Sequence, residues 1–100
     1  MGQYRPVNHP QTTELDEQEL AKRLVLGESQ RQAAASMELS QGVVQRRVRR
    51  WRKSIIERTN EQPANVVYWQ EQASVVVVAR RWLYLSTGDE RWAPLDLEEF

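Results

Sequence analysis

Between Ser29 and Trp51 the chain reads SQRQAAASMELSQGVVQRRVRRW. Gln41 and Gln45 stand four residues apart and Arg46 follows directly. A carboxamide presents a donor and an acceptor side by side, and a guanidinium presents a fork of donors. Beyond them come Arg47, Arg49, Arg50, Arg52 and Lys53, with no acid before Glu57. Like charges packed this densely on one helix repel, whereas an ordinary solvated helix alternates signs to gain pairs one turn apart. Paired polar forks backed by unneutralised cations suit recognition of a polyanion, not bond-making.

Such side chains need a rigid element to carry them. Val44, Val48, Trp51 and Ile55 are spaced four, three and four, which is helical periodicity and gives that element an inward stripe. Gln41, Gln45, Arg46, Arg49, Arg50 and Lys53 then share the opposite face, and Ser40 is placed as N-cap. The helix is expected to run to about Thr59. Before it, Gln30 to Met37 reads as a short helix capped by Ser29, with Ala33, Ala34 and Met37 inward; small residues there let the next helix cross closely. Met37-Glu38-Leu39 is the turn. Many motifs of this kind carry glycine where Glu38 stands, because the backbone goes left-handed there, at a cost of about 1 kcal/mol for any other residue. Two helices joined this way form a helix-turn-helix, whose second helix enters the DNA major groove. On that geometry Gln41 and Gln45 suit adenine and Arg46 suits guanine. Ser29, Arg31, Ser40, Arg49, Arg50 and Lys53 suit phosphates. Gly42, having no side chain, either lets the helix approach the bases or the backbone or is simply a glycine tolerated in the first turn.

Charge distribution supports a nucleic-acid partner although the net charge is zero. From Ser29 to Arg58 there are eight basic residues and two acids, and from Ser86 to Phe100 there are five acids and one base. The acidic end suits solvation, with contact to a basic partner protein as the lesser alternative. Enzyme chemistry lacks parts. There is no cysteine and the single histidine is His9, so neither a zinc site nor a histidine-based catalytic pair can be assembled readily. No glycine-rich phosphate loop occurs either, and no cofactor is expected. No apolar run approaches the ~20 residues of a membrane span. The start, MGQYRPVNHPQTT, lacks the layout of a signal peptide, so a cytoplasmic location is expected.

In chain order, residues 1–12 read as a mobile arm. A first helix is expected to start near Thr12 or Thr13, with one threonine as N-cap and Glu14, Asp16 and Glu17 at the positive end of its dipole. Leu15, Leu20, Leu24 and Val25 would form its apolar face, and Gly27 would end it. Residues 60–65 read as a polar linker. Val66 to Trp69 is rich in β-branched and aromatic residues and favours a strand. Ser74 to Leu85 stays open between strand and helix: four consecutive valines favour one, and Val75, Val78, Ala79, Trp82 and Leu85 fit a single helical face. A lone strand needs a partner, and a second copy of the chain could supply it. The expected architecture is therefore mainly α, with a helix-turn-helix DNA-binding domain in residues 1–59, a linker over 60–65, and a small strand/helix dimerisation element with an acidic tail in 66–100. Val67, Trp69, Val75, Val78, Trp82 and Leu85 would form the dimer seam, and truncation after Asn60 would leave a weakly binding monomer.

The motif alone is similar to that of LuxR-type regulators and of sigma factor region 4. A resemblance covering more of the chain is to the TrfB-like plasmid repressors, the KorA group. It is carried by Glu19-Leu20-Ala21-Lys22, Leu39-Ser40-Gln41-Gly42-Val43-Val44, Val48, Arg50, Val67 and Arg80-Arg81-Trp82. That resemblance implies a repressor of plasmid or other mobile-element genes that binds palindromic operators as a homodimer, through a C-terminal strand and helix, with Gln41, Gln45 and Arg46 toward bases. Two other classes use the same parts. One is a phage DNA-packaging subunit resembling a small terminase; the other is an adaptor that turns these helices on a regulatory protein.

Overall fold

Ser29, Ser40 and Ser74 each precede a helix and cap it. The computed structural model describes residues 9–59 and 63–93, and their side chains except at 9–16 and 64. Helices α1 (His9–Val25), α2 (Gln30–Ser36) and α3 (Gln41–Thr59) are followed by the short α4 (Pro63–Val67), which runs into a π-helical turn, Tyr68–Gln72. Then come α5 (Val75–Thr87) and a 3-10 turn, Glu90–Trp92.

The caps follow from residue chemistry. Ser29 Oγ accepts the Gln32 N–H at 3.0 Å, and Gln32 Oε1 accepts the Ser29 N–H at 2.9 Å, a reciprocal capping box. Ser40 Oγ accepts from Val43 at 3.2 Å and Ser74 Oγ from Val77 at 3.3 Å. Gly27, at φ 110°, ends α1 as expected, and Gly88, at φ 69°, ends α5. Glu38 occupies the left-handed region at φ 57° and is the non-glycine exception among the described residues. The Leu39 N–H then returns to the Ala34 carbonyl at 2.8 Å, closing the turn between α2 and α3.

One core holds all of this together. Leu20, Ala21 and Leu24 of α1, Ala33 and Ala34 of α2, and Val44, Val48, Trp51 and Ile55 of α3 are buried in it. So are Trp69 and Ala73 around the π turn and Val78, Ala79 and Leu83 of α5. Helix α5 packs against both α1 and α3. The Trp51 and Trp82 rings stack, with centroids 5.0 Å apart and planes 22° from parallel. The expected stripes of α2 and α3 are therefore the ones buried, with Met37 half-buried at the edge.

Several expectations are corrected. The first helix begins at His9, so Thr12 and Thr13 lie inside it and do not cap it, and Glu14, Asp16 and Glu17 fall beyond its first turn. Residues 1–8 of the expected arm and 60–62 of the expected linker lie outside the described residues, as does the side chain of Leu15. Residues 63–65 belong to α4, with Pro63 at the first helical position, where its missing N–H costs nothing. Val66 to Trp69 is helical and then π-helical, not a strand, and no strand occurs among the described residues. In Ser74–Leu85 the helical periodicity prevails over the β-branched composition. Ser74 and Gly88 cap both ends, and burying Val78, Ala79 and Leu83 outweighs a weak local preference for strand. Among the described residues no helix is long and apolar enough to cross a membrane.

The expected dimer seam is largely absorbed by the chain itself. Val78 is 0 % exposed and Trp69 5 %, so neither has surface to add to a partner. Val75, Trp82 and Leu85 are half-buried against the same core. Val67, at 45 % exposure, is the member of the set that stays open to solvent.

Candidate nucleic-acid interface

Burying Val44, Val48, Trp51 and Ile55 fixes which way every other side chain of α3 points, because successive residues turn by about 100°. Gln41, Gln45, Arg46, Arg49, Arg50 and Lys53 are all exposed on this helix. Arg46 and Lys53 lie nearest the direction opposite the core, with Arg49 and Arg50 about equally to either side; Gln45 lies further round on the Arg49 side, and Gln41 further still, toward the buried stripe. Ser29 and Arg31 at the start of α2, and Ser40 before α3, are exposed as well. The structure thus places all nine of these candidates at the surface of α2, α3 and their caps.

The cations divide into two sets. The first is used by the fold. Arg47 Nη1 meets Glu17 Oε2 at 2.8 Å, tying α3 to α1. Arg52 Nη1 donates to the carbonyls of Trp69 and Ala73 at 2.9 and 2.8 Å, holding the π turn onto α3. Burial shifts the Arg52 guanidinium below its usual range. Arg58 Nη1 donates to the Leu85 carbonyl at 3.0 Å. The second set is available. Arg31, Arg46, Arg49 and Lys53 make no hydrogen bond or ion pair among the described residues, and Arg50 approaches Glu17 only at 3.9 Å while 71 % of its side chain is exposed. The excess of positive charge therefore sits on one face instead of being spread around the helix.

Gly42 lies in the first turn of α3, where a Cβ would meet Arg46 Nη1 at 3.5 Å, an ordinary contact distance. Nothing among the described residues requires glycine there. Gly42 is half-buried, with the Arg46 guanidinium lying over its open side.

Two participants carry no signal in the sequence. Glu17 reads as a dipole residue of α1, yet it is the acid that neutralises Arg47. Gln70 stands 17 residues beyond Lys53 in a stretch with strand-like composition, and only the π turn brings it beside α3. Arg52 falls within the charged run, and the run alone does not show that its fork is spent on backbone carbonyls. Among the described residues no group of histidine, cysteine or carboxylate side chains is placed to hold a metal ion.

This arrangement can bind an extended anion: exposed carboxamides and one guanidinium at the N-terminal half of a rigid helix, and behind them Arg49 and Lys53, which have no partner among the described residues. Set against known protein families, curated proteins and solved structures, the chain gives no match.

Proposed function

We propose that the chain is a sequence-specific double-stranded-DNA-binding protein, a binder and not a catalyst, in which α2, the Met37–Ser40 turn and α3 act as a helix-turn-helix. The observation that carries this is the exposed face of α3, where Arg46, Arg49 and Lys53 have no hydrogen-bond or ion-pair partner among the described residues. Leaving these charges unpaired costs stability, and phosphates neutralise them with release of counterions. Gln41, Gln45 and Arg46 read base edges; Arg49, Arg50 and Lys53, with Arg31, Ser29 and Ser40, hold the backbone.

The resemblance to plasmid repressors supports a cytoplasmic homodimer that occludes promoters. Its recognition helices would lie about one turn, ~34 Å, apart on a palindrome with half-sites about 10 bp between centres. Among the described residues of the C-terminal half, Val67 and Val76, exposed at 45 % and 43 %, are the large apolar side chains open to a second copy. Selection of bound sequences from a random duplex pool tests the proposal. A palindromic consensus is expected; absence of enrichment overturns it. Light scattering on the same sample separates a dimer from the ring expected of a packaging subunit.

A further inference from the structure

Two adjoining clefts flank the outward face of α3. The larger, about 400 Å³, is lined by Arg49, Arg52, Lys53, Ile56, Glu57 and Gln70. The smaller, about 270 Å³, includes Gln30, Gln45 and Val75 and shares Arg49, Arg52 and Gln70 with the first. Their common wall opposite α3 is the π turn. We propose that this cleft seats a backbone phosphate of the same DNA that α3 reads, so that the π turn, through Gln70, forms a second wall of the interface. The proposal rests on the DNA-binding reading above.

Charge is the first argument. Three cations face one acid, Glu57, in the larger cleft, and Arg49 and Lys53 have no partner among the described residues. Rigidity is the second. The two hydrogen bonds from Arg52 to the Trp69 and Ala73 carbonyls fix the π turn on either side of Gln70. The Arg81 guanidinium, 5.2 Å from the centre of the Trp69 ring, braces the same turn from α5. Gln70 itself is exposed, so its carboxamide is held near Arg49 and Lys53 without being consumed by the core.

Position is the third argument. A helix in the ~12 Å wide major groove has phosphate rows along both flanks. Gln45, Arg49, Arg52 and Ile56 lie on one flank of α3, between its outward face and its buried stripe, and the cleft opens along that flank. Gln45 links the base-reading end to the phosphate seat. A phosphodiester is an acceptor and takes N–H groups from both a guanidinium fork and a carboxamide. π-helical turns are rare and concentrate at functional sites; here the turn sets Gln70 over the flank of α3.

The test is titration of duplex DNA by fluorescence anisotropy over a salt series, with the full chain and the variants Gln70→Lys, Gln70→Glu and Arg49→Ala. One phosphate contact changes the log–log salt slope by about 0.9, which is about eightfold in affinity near 0.1 M salt. Gln70→Lys is expected to bind any duplex about eightfold more tightly with a steeper slope, and Gln70→Glu to bind correspondingly more weakly. If both Gln70 variants match the wild type while Arg49→Ala weakens binding, the π turn lies away from the DNA and this inference falls, with the α3 reading intact. If the wild type shows no salt-dependent binding, both fall. Calorimetry with inorganic phosphate alone separates the remaining source: a Gln70→Lys variant that gains affinity for free phosphate and none for duplex assigns the cleft to a small anion and overturns the proposal. Thermal unfolding midpoints of the exposed Gln70 variants are expected to stay at the wild-type value, which keeps a folding defect from imitating the effect.

Discussion

Arg46, Arg50 and Arg52 are chemically identical and lie within seven residues of one another, yet their surroundings give them three different tasks. Arg46 is exposed in the N-terminal half of α3; on the proposed base-reading role, Arg46→Ala should cost about 1–3 kcal/mol on the selected site and relax its specificity, and equal loss on random DNA would remove the base contact. Arg50 is exposed and holds Glu17 only at the long edge of ion-pair range, 3.9 Å; on the proposed phosphate contact, Arg50→Ala should weaken all duplexes alike and flatten the salt slope by about one unit. An unchanged slope in the same titration would refute its phosphate contact. Arg52 is committed to two backbone carbonyls. Arg52→Met keeps the aliphatic stem but leaves both acceptors unpaired, and urea unfolding should show a loss of about 1.5–3 kcal/mol. Glu38 is the strained residue of the turn, at φ 57°. Glu38→Gly should raise stability by about 1 kcal/mol in the same assay, because glycine adopts that conformation without a Cβ clash.

At the scale of the element, the first turn of α3 pits helix stability against approach. Gly42→Ala has room for its Cβ. It should stabilise the helix by roughly 0.5–1 kcal/mol while weakening duplex binding, since the added methyl stands against the Arg46 guanidinium and shifts the side chain proposed to reach the bases. A variant that gains stability and keeps full affinity would show that DNA does not come close to this backbone. Helix α5 illustrates a different balance. Its valines prefer strand, but Ser74 caps its N-terminus, Gly88 its C-terminus, and its buried side is complete. Beyond it, the Asp89 carboxylate accepts from the Arg91 side chain and backbone, which holds it below its ordinary range. That contribution is present above the ordinary carboxylate range and lost as pH falls through the depressed value. The Asp89 carbonyl shift in an NMR titration should therefore move at lower pH than that of an unpaired aspartate.

For the whole molecule, the division into a DNA-binding domain and a separable tail does not match the packing. Trp69, Ala73, Val78, Ala79 and Leu83 lie in the same core as α1 and α3. Truncation after Asn60 removes all five, so the fragment should lose most of its far-ultraviolet helical signal instead of persisting as a folded monomer. A folded fragment would mean that α1–α3 is self-sufficient. The intact chain, at 11.8 kDa per copy, should scatter as a dimer.

Local chemistry alone determined a good deal: the periodicity of α3, its exposed and buried faces, the serine caps of α2 and α3, and Gly27 as a helix end; the left-handed Glu38, against its own local preference, was legible only from the turn of the motif. These depend on a residue's own rotamers, its hydrogen-bonding groups and neighbours within one helical turn, all of which the sequence states directly. Only the tertiary structure decided the rest. Val66–Gln72 and Val75–Leu85 became helical because α1 and α3 present an apolar face that helices can cover, and no partner strand exists among the described residues to pair with. The same long-range packing assigned Arg47 to Glu17 and Arg52 to the π turn, and carried Gln70 to the flank of α3. Pairings across such separations depend on which surfaces remain to be buried once the local elements have formed, and that is a property of the folded chain, not of any segment of it.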